Sequence, residues 1–163
     1  MKIHPRSLSF ICSLAILTSA LLISTPFPCS AQDQTTANKA LLIEQLKETY
    51  ALLEKGDYPS ASKYFVLPPK FTPDMLGAFI KRREISLAGI IRLEKEAKFD
   101  KASVLFGAEK AASLAKRAGV DVEQCYGFYH QTKEATAEVI ALWQDGTFKI
   151  VRLDDVGKLL PIE

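Results

Sequence analysis

The chain has 163 residues, enough for a single domain, with 21 lysine and arginine residues against 19 aspartate and glutamate residues. Residues 1–31 contain two of the basic side chains, Lys2 and Arg6, and no acidic one, so the rest of the chain has no net charge. This balance argues against a nucleic acid or an anionic membrane as the partner, because both attract strongly basic proteins.

The first 31 residues have the segment order that is typical of a secretory signal peptide. Basic residues come first, an almost wholly apolar run covers residues 8–23, and small residues lead up to Ala31. We predict cleavage after Ala31, which would make the protein secreted or periplasmic and free of the membrane. Two alternatives remain: an uncleaved membrane anchor, for which the apolar run is slightly short, and a lipoprotein acylated at Cys29, for which Pro28 is a poor fit.

Helices are predicted in the first part of the chain that follows. Residues 32–38 are polar and small and are predicted to form a flexible leader, and residues 39–163 are predicted to form one domain. Apolar residues recur at three- and four-residue spacing, which predicts helices at about residues 39–55, 58–65, 73–98 and 101–118. Asp57, Thr72 and Asp100 are predicted N-caps, since a short polar side chain can accept a free backbone N–H there.

From Val122 onward the pattern predicts strands. Aromatic residues favour a strand over residues 122–131, Thr132-Lys133 is the predicted turn into a second strand, and Asp145-Gly146 joins that strand to a third. A run of helices followed by a run of strands indicates the α+β class. The predicted architecture is therefore a set of N-terminal helices packed on a C-terminal three-stranded antiparallel meander.

The Asp-Gly turn also predicts which residues face each other. A two-residue loop sets three pairs across the last hairpin: Trp143 with Phe148, Ala141 with Ile150, and Val139 with Arg152. The same counting across the first hairpin pairs His130 with Ala135, Phe128 with Ala137, and Tyr126 with Val139. These residues then share one face of the sheet, the predicted inner face, which turns towards the helices.

No strong catalytic or cofactor motif is present in the sequence. After residue 31 the chain has one histidine, His130, and one cysteine, Cys125, which are too few for a zinc or copper site. Five residues apart on one strand, these side chains face opposite sides and lie roughly 16 Å apart, so they are not expected to form a catalytic pair. We therefore predict no metal, no cofactor and no catalytic residue.

The candidate ligand site lies on the predicted inner face and consists of Tyr126, His130, Val139 and Arg152. A tyrosine hydroxyl donates a hydrogen bond and an arginine fork binds a carboxylate or phosphate, while three small alanines nearby would leave room for a ligand. An apolar cavity with a few polar groups is the usual form of a binding site. In the alternative interpretation the helices cover this face, and the polar tips reach its rim.

Two passages resemble the nuclear-transport-factor-like (cystatin-like) superfamily of cone-shaped α+β domains. Residues 52–58, L-L-E-K-G-D-Y, are similar to the exit of that family's first helix. Residues 135–139 and 145–150 are similar to its closing hairpin, with Phe148 where the family usually has Trp. The resemblance implies helices followed by a curved meander. Family members range from enzymes to ligand-binding and structural modules, so the resemblance assigns no activity, and no catalytic residue can be carried over.

Three functions are consistent with these observations. The first is an exported, non-catalytic binding or accessory domain that holds a small ligand on its inner sheet face. The second is a protein-interaction module that uses the helical half, suggested by a similarity between residues 57–65 and 98–106. The third is an isomerase- or dehydratase-like enzyme, which would need a buried acid or His130 in a cleft. We predict the first, with an unknown small ligand or protein as the partner.

Overall fold

The structure is a computed structural model whose described part comprises residues 31–159. These residues form six α-helices, two single-turn 3-10 helices and one four-stranded antiparallel sheet, which confirms the α+β class. The α-helices are α1 (Ala31–Glu54), α2 (Tyr58–Ala61), α3 (Pro73–Ile80), α4 (Leu87–Glu96), α5 (Ala102–Phe106) and α6 (Ala108–Ala118). The strands are β1 (Lys98–Lys101), β2 (Cys125–Gln131), β3 (Thr136–Gln144) and β4 (Thr147–Asp154). The predicted signal peptide lies outside the described residues, apart from Ala31.

Short polar side chains and a glycine set several helix boundaries. The carboxylate of Asp57 accepts the N–H of Ser60, and the hydroxyl of Thr72 accepts the N–H of Met75. Each cap satisfies a backbone donor that the first turn of a helix leaves without a partner. At the C-terminal end of α6, Gly119 has a left-handed φ of 69°, which ends the helix. The predicted starts of α2 and α3 and the predicted end of α6 are thereby confirmed.

Several stretches differ from their predictions. The helix predicted over residues 73–98 is two helices, α3 and α4, and the helix predicted over residues 101–118 is broken at Gly107 into α5 and α6. Residues 32–38, predicted as a flexible leader, belong to α1, whose first turns carry polar side chains and therefore lack an apolar period. Residues 98–101 form β1, although helices were predicted on both sides of Asp100. Asp100 lies inside this strand and caps no helix. A four-residue strand is too short to show a period of its own, and Phe99 is held by pairing with β2, which no local pattern reveals.

The strand order is β1-β2-β3-β4, so the predicted meander is present and β1 extends it on one side. Asp145 and Gly146 form the tight turn with positive φ angles of 51° and 76°, as the residue types predict. Two predicted pairs across this last hairpin are confirmed: Trp143 with Phe148 and Ala141 with Ile150. The turn therefore sets the register at its own end of the hairpin.

The first hairpin is shifted by two residues from its predicted register. Its loop covers residues 132–135 and is closed by the N–H of Thr132, which donates to the carbonyl of Ala135. The observed pairs are His130 with Ala137, Phe128 with Val139, and Tyr126 with Ala141. Because side chains alternate with a period of two, this shift changes the partners and leaves the inner face unchanged.

Helices cover both faces of the sheet. α1 and α4 pack on the inner face, where the main core contains Leu42, Leu46, Ile90, Leu93, Phe128, Val139 and Phe148. α5 and α6 cover the outer face in a second cluster of Ala102, Ala111, Cys125, Ile140 and Leu142. Burial of each large apolar side chain stabilises the fold by roughly 1.5–3 kcal/mol, so both layers are held mainly by these contacts. No helix within residues 31–159 is both long and apolar enough to cross a membrane.

The free edge of β4 is covered by segments that are not strands. The N–H of Val66 donates to the carbonyl of Ile150 at 2.9 Å. Nearer the turn, the side chain of Gln45 accepts the N–H of Phe148 at 2.8 Å and donates to its carbonyl at 3.1 Å. Behind this edge, α2 and α3 pack through a third cluster of Ala61, Leu76 and Ile80. These contacts place α3 beside the end of β4.

Candidate functional site

Three of the four predicted site residues project from the inner face. Tyr126, His130 and Val139 lie there together, and Val139 is 0% exposed. The ring of Tyr126 stacks on Phe99 with centroids 6.0 Å apart, and the ammonium group of Lys101 lies 4.0 Å from its centroid. Contacts within the protein therefore already occupy most of the surface of Tyr126 and Val139.

His130 lies beside α4 at the rim of this face. Its Nε2 is 3.5 Å from Oε2 of Glu96, and the same oxygen accepts a hydrogen bond from Arg92 at 2.8 Å. The hydrogen bond from Arg92, with smaller contributions from nearby positive charges that include His130, lowers the pKa of Glu96 below its usual value. His130 thus lies against α4, next to the carboxylate of Glu96.

Arg152 lies on the opposite face, so the predicted pairing of Val139 with Arg152 is wrong. A β-bulge in β4 adds one residue, Val151, opposite the step from Ile140 to Ala141, so Ile140 pairs with Arg152 and Val139 pairs with Leu153. A bulge adds one residue to one strand, and every side chain beyond it changes face. The sequence carries a weak signal of this bulge: Ile150 and Leu153 are both large apolar residues, and a spacing of three does not fit one face of an alternating strand. Both side chains are buried in the structure.

The inner face is filled by the helices that cover it. Leu42 and Leu46 of α1 and Ile90 and Leu93 of α4 are each no more than 1% exposed and pack against the strands. Packing of this kind leaves few voids larger than a water molecule. The interpretation in which the helices cover this face therefore describes the structure, and space for a ligand has to be sought elsewhere.

Five charged side chains alternate in sign across the outer face. Lys110 Nζ lies 2.5 Å from Glu138 Oε1, Arg152 Nε lies 3.2 Å from Glu138 Oε2, and Arg152 Nη2 lies 2.6 Å from Asp154 Oδ2. Asp154 also pairs with Arg83, just after α3. We call these five residues the charge ladder. Glu138 is only 8% exposed, so the ladder places a buried carboxylate between two cations.

A pocket of about 340 Å³ lies next to the ladder, between β4, α3, the end of α6 and the segment that covers the β4 edge. We call it the edge pocket; its lining residues are 65–68, 71, 76, 79, 83, 114, 117, 118 and 150–154. Twelve of these sixteen residues are apolar and four are charged. This volume and lining fit the usual form of a small-molecule site, which is mostly apolar with few polar groups.

Arginines dominate the charge of the edge pocket. Arg83, Arg117 and Arg152 line it, and Asp154 is the one acidic residue among the lining side chains. Asp154 pairs with two of these arginines, Arg83 and Arg152. Arg117 is exposed and has no carboxylate within ion-pair distance in the described part of the chain. The lining therefore carries an excess of two positive charges, and Arg117 has no carboxylate partner among residues 31–159.

Helix α3, which supplies part of the wall of the edge pocket, packs closely on α2. Gly77 of α3 faces Tyr58 of α2 so closely that an added Cβ would lie 2.6 Å from its ring. On the same helix Phe79 meets Phe71 edge to face, with centroids 6.4 Å apart. Met75 and Phe79 are 50% and 42% exposed, so apolar surface continues from the pocket towards solvent.

The reactive side chains in the described part of the chain are poorly placed for catalysis. Burial raises the pKa of Cys125 to about 11, and its thiol donates to the carbonyl of Asp121. A thiol of this kind is neutral and inert at neutral pH. His130 projects from the other face, as predicted, and residues 34–159 include no cluster of three acidic, histidine or cysteine side chains able to hold a metal.

Comparison with protein-family models, with curated proteins and with solved structures finds no match to this chain. The resemblance of residues 52–58, 135–139 and 145–150 to the nuclear-transport-factor-like superfamily therefore stays a prediction. Any inference about function rests on the geometry and charge of the chain itself.

Proposed function

We propose that this protein is an exported, non-catalytic binding module whose ligand occupies the edge pocket. The observation that carries the proposal is the pocket itself: about 340 Å³, walled by apolar side chains, with three arginines around it. Small-molecule sites are usually concave and apolar with a few polar groups that fix orientation. Export is proposed from the signal-peptide pattern of residues 1–31.

The edge pocket is a better candidate than the inner sheet face. A ligand on the inner face would have to displace α1 or α4, whose buried leucines and isoleucines each stabilise the fold by roughly 1.5–3 kcal/mol. The edge pocket requires no such displacement, because Val66 and Leu76 already fix its walls through a backbone hydrogen bond and a buried contact. Of the residues first predicted for a ligand site, Arg152 alone lines this pocket.

Neither alternative function has comparable support. The similarity between residues 57–65 and 98–106 suggested a helical interaction module, but the first passage contains α2 and the second begins as β1. An isomerase-like site would need titratable groups in one cleft. His130 projects from the inner face of the sheet and Glu138, the buried acid, from the outer face, so the sheet separates these two groups. The carboxylate that lies next to His130 belongs to Glu96, whose side chain is exposed at the rim of the inner face.

A titration with 1-octanol, followed by amide NMR spectra, tests the proposal. This alcohol is largely apolar and uncharged, so its binding tests the apolar walls of the pocket and does not depend on an ion pair with the arginines. We expect shifts in residues 65–71, in α3, in β4 and at the end of α6. Shifts confined to the inner face, or no shifts at all, would contradict the proposed site.

Two substitutions on α6 provide a matched comparison. Ala118 lines the edge pocket, whereas Ala112 is exposed on the same helix and does not line it. Ala118→Phe should fill the pocket and weaken octanol binding by at least about tenfold, equivalent to about 1.4 kcal/mol. Ala112→Phe should leave binding unchanged. Equal effects of the two substitutions would count against the edge pocket.

A further inference from the structure

We infer that the edge pocket takes an amphipathic monocarboxylate, with its apolar chain against the pocket walls and its carboxylate held by Arg117. The inference rests on the proposed function and extends it by naming the class of ligand. Three observations carry it: the net charge of the site, the one lining arginine that pairs with no carboxylate of residues 31–159, and the volume of the pocket.

The charge around the pocket selects an anion. Its lining has three arginines and one aspartate. Extending the count to the whole charge ladder adds Lys110 and Glu138, one charge of each sign, so the excess of two positive charges remains. A site with excess positive charge attracts an anion. Apolar walls strengthen this attraction, because they exclude part of the water that would screen the charges.

Arg117 is the arginine that is free to hold the ligand. The guanidinium groups of Arg83 and Arg152 both pair with Asp154, and Arg152 also lies beside Glu138. An arginine fork matches the two oxygens of one carboxylate, and the pairing adds geometric specificity to charge attraction. One unpaired arginine therefore fits one carboxylate, while a ligand with two anionic groups would have to compete with Asp154.

The volume of the pocket limits the length of the chain. A pocket of about 340 Å³ is near the lower end of the volume range of small-molecule sites, so it suits a small ligand. Octanoate is of this size. A longer chain would pass over the exposed surface of Met75 and Phe79 at the side of α3.

Arg117 also lies in the last turn of α6, where a cation stabilises a helix without any ligand. Lys116 is the matched control for this effect, because it lies in the same turn, carries the same charge and does not line the pocket. A helix-stabilising role alone would make Arg117→Gln and Lys116→Gln equivalent. If Arg117 binds the ligand, only Arg117→Gln should change ligand binding.

The test is a calorimetric titration of the full-length protein and both variants with octanoate, 1-octanol and octylammonium at neutral pH. We expect the unaltered protein to bind octanoate about tenfold more tightly than 1-octanol and to bind octylammonium most weakly. Arg117→Gln should remove the preference for octanoate over 1-octanol. Lys116→Gln should preserve the preference.

Two further outcomes are decisive in different ways. Equal binding of octanoate and 1-octanol, or a preference that survives Arg117→Gln, would overturn the assignment of the carboxylate while leaving the edge pocket as a ligand site. Failure of all three compounds to bind would overturn the proposed function and the ligand class together.

Discussion

The guanidinium Nε of Arg152 lies 3.2 Å from Oε2 of Glu138 on the outer face of the sheet. The two side chains come from neighbouring strands, and the bulge that pairs Ile140 with Arg152 brings them to the same face. Both atoms are buried, and neither makes a well-oriented hydrogen bond within the described residues. Their attraction therefore depends on charge more than on hydrogen-bond geometry, which makes the pair sensitive to removal of either charge.

Glu138→Gln should destabilise the protein by about 1–3 kcal/mol, because it leaves Arg152 and Lys110 without their buried anionic partner. This destabilisation is smaller than that expected on breaking a fully buried ion pair, since the side chain of Arg152 is 36% exposed. The free energy of unfolding in urea measures the effect. Glu134→Gln, at an exposed position in the preceding loop, is the control and should change stability by less than about 0.5 kcal/mol. Equal changes would show that the charge ladder contributes nothing to stability.

Gly77→Ala should destabilise the protein by about 1–3 kcal/mol, because its Cβ would overlap the ring of Tyr58. In a Tyr58→Ala background the overlap is gone, and Gly77→Ala should then stabilise α3 by up to about 1 kcal/mol through its higher helix propensity. Thermal or chemical unfolding of the four proteins measures this change of sign. If Gly77→Ala still destabilises the protein in the Tyr58→Ala background, overlap with the Tyr58 ring is not the cause.

Gln45→Leu should destabilise the protein by about 2–3 kcal/mol, because it leaves the N–H and carbonyl of Phe148 buried without the partners that Gln45 supplies. We also expect faster hydrogen exchange at the Phe148 amide, since its acceptor is the Gln45 side chain. Gln144→Leu, at an exposed position of the same hairpin, is the matched control. Unchanged exchange at Phe148 in Gln45→Leu would contradict the role of this contact.

The stability of the protein should fall as pH rises towards the pKa of Cys125, which burial raises to about 11. An unfolded thiol ionises near about 8.5. The neutral thiol therefore favours the folded state fully below about pH 8.5, and this contribution is lost as pH rises through the window up to about 11.

Urea unfolding at about pH 8 and about pH 10.5 measures this loss, with Cys125→Ala as the control. We expect the unaltered protein to lose roughly 1–2 kcal/mol more than the variant between the two pH values. Comparison with the variant removes the contribution of tyrosines and lysines that titrate in the same range. Parallel losses in the two proteins would show that the thiol does not ionise differently on unfolding.

Features that depend on neighbouring residues in the chain were predictable from the sequence. The Asp145-Gly146 turn and the Asp57 cap each need a few consecutive residues, and both are present. The α+β class was predictable because apolar residues follow helical spacing in the first long stretch and strand alternation in the second. Strand β1 was missed because its four residues are ordered by pairing with β2, so its position depends on the tertiary fold.

The candidate site was harder to predict, for two physical reasons. The bulge after Ile150 arises because β4 buries both Ile150 and Leu153, and a strict alternation would have exposed one of them. That change of face separated Arg152 from Tyr126. The edge pocket is built from four segments that are distant in the chain, so no single pattern could indicate it, and Arg117 resembles an ordinary basic residue at the end of a helix.

The covering of β4 has a consequence for how this protein meets other chains. A bare strand edge is a template on which a foreign strand can add, and such addition leads to aggregation. Here the Gln45 side chain and the Val66 backbone occupy hydrogen-bonding positions along β4 that an added strand would need. The opposite edge is β1, which has four residues and a lysine at each end. Both edges of the sheet are thus poorly suited to pairing with a strand of another molecule, which disfavours aggregation through the sheet.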